Sequence, residues 1–181
     1  AVGQVIVGGC DNTATGTIGA NKGDYNFIGG GCENSNAGGV AAIVAGRNNC
    51  ITGTGIGAAF TGASGSFIGA GVGNCISAAC CSIIVGGKEN INCGDFSFIG
   101  GGKGSCIGDY INSFIGGGYE NFALQDYSFI GGGASNIASG TNSSVVGGTL
   151  NTASSACSFI GGGKENEAGG AYSSIVGGLQ N

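Results

Sequence analysis

Residues 128–151 read Ser-Phe-Ile-Gly-Gly-Gly-Ala-Ser-Asn-Ile-Ala-Ser-Gly-Thr-Asn-Ser-Ser-Val-Val-Gly-Gly-Thr-Leu-Asn, one short unit followed by most of another. Each unit closes on an Asn, here Asn136 and Asn151. Outward from this stretch the closing position recurs as Asn12, Asn34, Asn49, Asn74, Asn90, Ser105, Asn121, Asn136, Asn151, Asn166 and Asn181. The steps are fifteen or sixteen residues, apart from longer ones into Asn34 and Asn74. Those two hold extra residues near 13–24 and 50–65, read as bulged loops or one irregular coil each. Six residues before the closing position stands a β-branched residue in every unit: Ile6, Ile28, Ile43, Ile68, Ile84, Ile99, Ile115, Ile130, Val145, Ile160 and Ile175. Three before it stands Gly, from Gly9 to Gly178, and four before it Gly or Ala.

A repeat of this period predicts an all-β parallel β-solenoid, a β-roll of about eleven coils of 15–16 residues forming one domain over 1–181. The β-branched residues suit a strand of four or five residues. Gly supplies the positive φ that sharp corners need and lets stacked backbones approach. Parallel strands stack about 4.8 Å apart, so the rod should be roughly 50 Å long. The closing Asn residues should form a ladder, each amide bonding to the next coil. Ile6 to Ile175, as enumerated above, are the expected core.

The strand carries apolar residues on its other face too. Phe129 is followed two residues on by Gly131, Ser144 by Val146, Phe159 by Gly161 and Ser174 by Val176, so large-then-small alternates with small-then-large. A strand apolar on both faces is buried on both. One face is the solenoid interior. The other, comprising Phe27, Phe67, Phe98, Phe114, Phe129, Phe159, Val44, Val85, Val146 and Val176, predicts self-association. The second half of each coil is mainly small and polar, which predicts an exposed outer strand. A core of about one Ile and one Ala per coil is thin and also favours oligomerisation.

Composition narrows the function. The 181 residues include 44 Gly, no Pro, no His and no Met, yet 41% are hydrophobic. That combination argues against both collagen and disorder. Net charge is −5, and the cations Lys22, Arg47, Lys88, Lys103 and Lys164 are spread out. Nucleic acid is therefore not an expected partner. No apolar run is long enough for a membrane helix. Without His there is no nucleophile–base set. The serines Ser66, Ser82, Ser97, Ser113, Ser128, Ser143, Ser158 and Ser173 occupy one structural slot, and no enzyme activity or cofactor is expected. The Gly runs lack the Lys-Ser/Thr of a phosphate loop. Asp11, Glu33, Glu89, Glu120 and Glu165 recur just before the closing position and read as solvated corners. Asp95, Asp109 and Asp126 do not follow a calcium repeat. Tyr127 and Tyr172 share a slot just before the strand and are expected to pack. The nine cysteines are an odd count, with Cys10 and Cys32 in one slot and Cys50, Cys75 and Cys106 in another; most read as small apolar residues. The chain lacks an initiator Met and stops on a repeat-closing Asn, as an excerpt of something longer would.

Ser128-Phe129-Ile130, with Gly133, Asn136, Ala138 and Gly140, resembles the head repeats of trimeric autotransporter adhesins, the YadA-like left-handed parallel β-roll. The order matches, with an extra residue in the strand and Asn in place of a second Ser, and the likeness covers essentially the whole chain. Similar repeats occur in trimeric phage tail fibres. The resemblance implies a homotrimer whose inner strands pack around the threefold axis. The expected function is a structural surface-display protein, an adhesin head or fibre shaft at a cell or virion surface. Its partners would be its own copies and a host surface receptor or glycan. The alternative is a self-assembling extracellular filament subunit or a phage tail-fibre segment.

Overall fold

The computed structural model describes residues 3–15, 25–53 and 63–181. Among these, eleven strands, from Gly3–Ile6 to Ser174–Ile175, pair in chain order into one parallel sheet. Ten more, from Thr13–Ala14 to Glu167–Ala168, form a second. A third edge is a run of parallel bridges from Cys10–Cys32 to Lys164–Leu179. The fold is the expected all-β parallel solenoid: ten turns of two strands each, plus the opening strand and corner of another. Thr13–Ala14 and Cys50–Thr52 are regular strands. Of the two irregular stretches, residues 16–24 and 54–62 lie outside the described residues.

Strands are shorter than the four or five residues expected; beyond the first coils most contain two. Backbone bonds nevertheless continue past each strand, as Phe129 N–H donates to Ser143 O (3.0 Å) and Gly131 N–H to Val145 O (3.0 Å). Gly at the corner cuts the strand short. Gly133 has φ +93°, and a Cβ there would overlap the Gly148 carbonyl oxygen of the next coil. Only Gly tolerates both the conformation and the approach. Two residues later the chain turns again through a left-handed residue, Ser135 at φ 54° and Glu165 at φ 57° in their coils.

The core is a column of β-branched residues facing a second column from the other sheet. Ile28, Ile43 and the series through Ile160 are fully buried, with Ile175 packed at the edge. Ile6 departs from the expected core: in the first strand it is 45% exposed, since a paired strand covers it on one side only. The facing column is richer than one Ala per coil. Ala123, Ala138, Ala153 and Ala168 fill it in the later coils, but Ile51, Ile76 and Ile107 fill it elsewhere, and Asn36 and Asn92 lie there buried. Volume sets coil length. The two sixteen-residue steps, Asn74 to Asn90 and Ser105 to Asn121, are those carrying Ile76 and Ile107, and one extra residue widens the loop around the larger side chain. Asn92 instead bonds across the coil, Nδ2 donating to Ser97 O (3.1 Å) and Oδ1 accepting from Gly94 N (3.2 Å).

The Asn ladder runs along the interior edge. Asn136 Nδ2 donates to Gly132 O of its own coil (3.0 Å) and Gly148 O of the next (2.9 Å). Its Oδ1 accepts from the backbone N–H (3.0 Å) and Nδ2 (3.2 Å) of Asn151. The same scheme holds at Asn34, Asn49, Asn74 and Asn166, all buried. Buried amides satisfied this fully stabilise, because no donor or acceptor is stranded.

Ser105 interrupts the ladder. Its hydroxyl accepts from Asn121 N (3.2 Å), but a hydroxyl cannot reach the two corner carbonyls that an Asn such as Asn136 ties together. Gly102 keeps the usual corner, φ +89° against Gly118, so an amide has the same bed as elsewhere. Ser105→Asn should therefore stabilise the rod by about 1–2 kcal/mol. Thermal melts of the two proteins check this; an unchanged or lower midpoint contradicts it.

Candidate interaction face

The outward side of the eleven-stranded sheet carries a row of exposed and half-buried apolar side chains. In register along it stand Val5, Phe27, Ala42, Phe67, Ile83, Phe98, Phe114, Phe129, Ser144, Phe159 and Ser174. Strand alternation fixes this: Ile130 points inward and is buried, so Phe129 must point out. Phe98, Phe114 and Phe129 stack with ring centroids 5.2 Å apart and planes 7° from parallel.

Each Phe lies over the Gly two residues on. A Cβ on Gly131 would sit 3.5 Å from the Phe129 ring, and one on Gly100 3.4 Å from that of Phe98. Where the first residue is small, the second is large, giving exposed Val44, Val146 and Val176; Ile83 is instead followed by the likewise exposed Val85. The volume exchange thus levels a face of rings and Val side chains. Ala42, between Phe27 and Phe67, leaves a shallow depression lined also by Tyr25 and Val40. Phe27, Phe129 and Phe159 are each 38% exposed. That is a large solvent share for residues that gain about 1.5–3 kcal/mol on full burial.

The second sheet is not the small, polar outer surface expected. One position after each closing residue, Cys50, Cys75, Ile91, Cys106, Phe122 and Ile137 form an outward apolar stripe over successive coils. Only its ends are polar, at Thr13 and Ser35 and at Thr152 and Glu167. The slot varies between six residue types, so no fixed residue marked it. The expected packing of Tyr127 and Tyr172 is also overturned. They sit at left-handed corners, φ 58° and 61°, and are 50% and 80% exposed, as is Phe96 at 61%. The corner aims the side chain away from both sheets.

Charge concentrates on the bridged corner. Arg47, Lys88, Lys103 and Lys164 belong to that edge, while Lys22 lies outside the described residues. Lys88 pairs with Glu89 (3.3 Å) and Lys164 with Glu165 (3.0 Å). Exposed contacts of this kind are worth little. Lys103 lies 5.6 Å from the Tyr119 ring, and a hydrogen bond to Glu120 pushes the Tyr119 hydroxyl up from its ordinary range. Asp95 and Asp126 accept from the backbone of the preceding coil, at Cys80 N (2.6 Å) and Ile111 N (2.9 Å). Of the serine slot, Ser82 Oγ donates to Gly94 O (2.6 Å) and Ser158 Oγ to Ser155 O (2.6 Å), so these hydroxyls close corners.

No protein-family model matches the chain, and no curated protein matches it at a significant level.

Proposed function

We propose that this chain is a structural display segment, an adhesin head or fibre shaft, and that it works as a homotrimer outside the cell or on a virion rather than as an enzyme. The observation that carries the reading is the outward Phe and Val face of the long sheet. A rod with a narrow core and one continuous apolar face gains most by burying that face against copies of itself. Three identical faces around one axis would do so while leaving the second sheet and the charged corner free for a host receptor or glycan. The resemblance to trimeric autotransporter head repeats and phage fibre repeats supports the same arrangement, since in those the equivalent strand lines the axis.

The test separates assembly from folding. Phe114→Lys with Phe129→Lys adds two charges to the middle of the face without touching the Ile column or the Asn ladder. Light scattering should show the mass falling to that of one chain, with the β-sheet circular dichroism kept. A double variant that stays trimeric would sink the reading.

A further inference from the structure

The two longest coils are also the two whose ends carry facing cysteines. The closing residues Asn12 and Asn34 are separated by 22 positions, and Asn49 and Asn74 by 25. Elsewhere the step is fifteen or sixteen. Cys10 and Cys32 are direct partners in the bridged corner across the first of these coils. Cys50 and Cys75 are direct partners in the second sheet across the other. Several remaining cysteines face other residue types: Cys106 lies between Ile91 and Phe122, Cys81 N–H meets Ser64 O, and Cys157 N–H meets Thr141 O. Cys80 and Cys81 have sulfurs 3.3 Å apart, but as chain neighbours they would close no loop.

Partners on adjacent parallel strands have Cα atoms about 4.8 Å apart, inside the roughly 4.4–6.8 Å that a disulfide spans. We propose that Cys10–Cys32 and Cys50–Cys75 are two disulfide staples, each closing the loop of one insertion-bearing coil. The placement has a physical reason. A longer loop costs more entropy to close, and a cross-link removes that cost from the unfolded chain. All four are free thiols. Within each pair one thiol shifts the other: Cys75 lowers Cys50 to about 7 and is itself raised, and Cys10 pushes Cys32 up to about 11.

The oxidant is a small-molecule disulfide such as oxidised glutathione. The Cys50 thiolate attacks one of its sulfurs and expels one thiolate, leaving a mixed disulfide. The Cys75 thiolate then attacks the Cys50 sulfur and expels the second. Two protein thiols are oxidised, one disulfide is reduced to two thiols, and the two protons lost by the protein end on the thiols released. Cys10 and Cys32 react in the same way.

The full chain is equilibrated with oxidised glutathione, alkylated with N-ethylmaleimide, and digested with trypsin and chymotrypsin together. Cleavage at Lys22, Arg47 and Phe60 puts Cys10, Cys32, Cys50 and Cys75 on four separate peptides. Two linked peptide pairs should appear, Cys10 with Cys32 and Cys50 with Cys75. Cys80, Cys81, Cys93, Cys106 and Cys157 should carry the alkyl label or a glutathione, with none of them linked to another peptide. Alkylation of either pair, or linkage of its members to other cysteines, overturns the proposal. As a second readout, dithiothreitol should lower the melting midpoint of the oxidised protein by about 5–15 °C. Cys10→Ser with Cys75→Ser should show no such shift; a shift of equal size in that variant overturns it too. Neither result depends on the oligomeric state.

Discussion

Gly133→Ala should cost about 4 kcal/mol or more, while Gly132→Ala, one residue earlier, should change stability by less than about 0.5 kcal/mol. At Gly133 the backbone sits at φ +93°, and the added methyl would overlap the carbonyl oxygen of Gly148 and lie 2.7 Å from Asn136 Nδ2. The Gly148 oxygen belongs to the backbone and the Asn136 amide is held in the ladder, so the coils must part or the corner must refold. At Gly132 the nearest atom to a new Cβ is 3.9 Å away and φ is unexceptional. The chain itself already contains this control, with Ala45 and Ala70 in the slot of Gly132 and Gly in every unit in the slot of Gly133. Denaturant unfolding of the pair measures the contrast. Equal losses at both positions would mean that the stacked-corner account is wrong.

Asn136→Ala should cost about 3 kcal/mol. The substitution removes the donor to Gly132 O and leaves the buried Asn151 N–H without its acceptor. A stranded buried group costs about 1–3 kcal/mol. A side-chain-sized void adds to the loss. Asn136→Asp gives a sharper form of the test. The carboxylate still accepts from Asn151, but it turns a second oxygen towards Gly132 O and Gly148 O, and it is charged in a buried site. Its folded-state pKa should therefore rise above the unfolded value of about 3.9. The folded state then binds more protons, so the penalty is smallest below the unfolded pKa and grows as pH rises through the folded one. Unfolding curves of the Asp variant at several pH values check the sign. A variant more stable at neutral pH than at pH 4, relative to the parent, would contradict a buried amide ladder.

The parts legible in the sequence were those where one residue type fills one slot. Asn136 alone is a common turn residue, but its counterparts in register left only a stacked position open. The same holds for Gly133 and its equivalents, and for Ile130 and the column it belongs to. Slots that tolerate several residue types are not legible from residue type alone. The second inward column accepts Ala138, Ile107 or Asn92 by adjusting coil length or bonding across it, so one Ala per coil was too narrow a reading. The outward stripe through Cys75, Ile91 and Phe122 mixes residue types because solvent on that side imposes no fixed volume. For Tyr127 and Tyr172 the period locates a residue along the coil without giving its backbone conformation. A left-handed corner reversed their direction. For the cysteines, the slots group Cys10 with Cys32, and Cys50 with Cys75 and Cys106, and only adjacency across the two long coils singles out two pairs.

The Phe face connects these details to the proposed role. Its rings and Val side chains present a level apolar surface, and under the proposed reading a copy of the same rod would cover it. Sedimentation equilibrium of the unmodified chain at micromolar concentration tests this most directly. The account predicts a single species of three times the 17.2 kDa chain mass, holding its mass on dilution. A stable, folded species of one chain mass across the same range would contradict it.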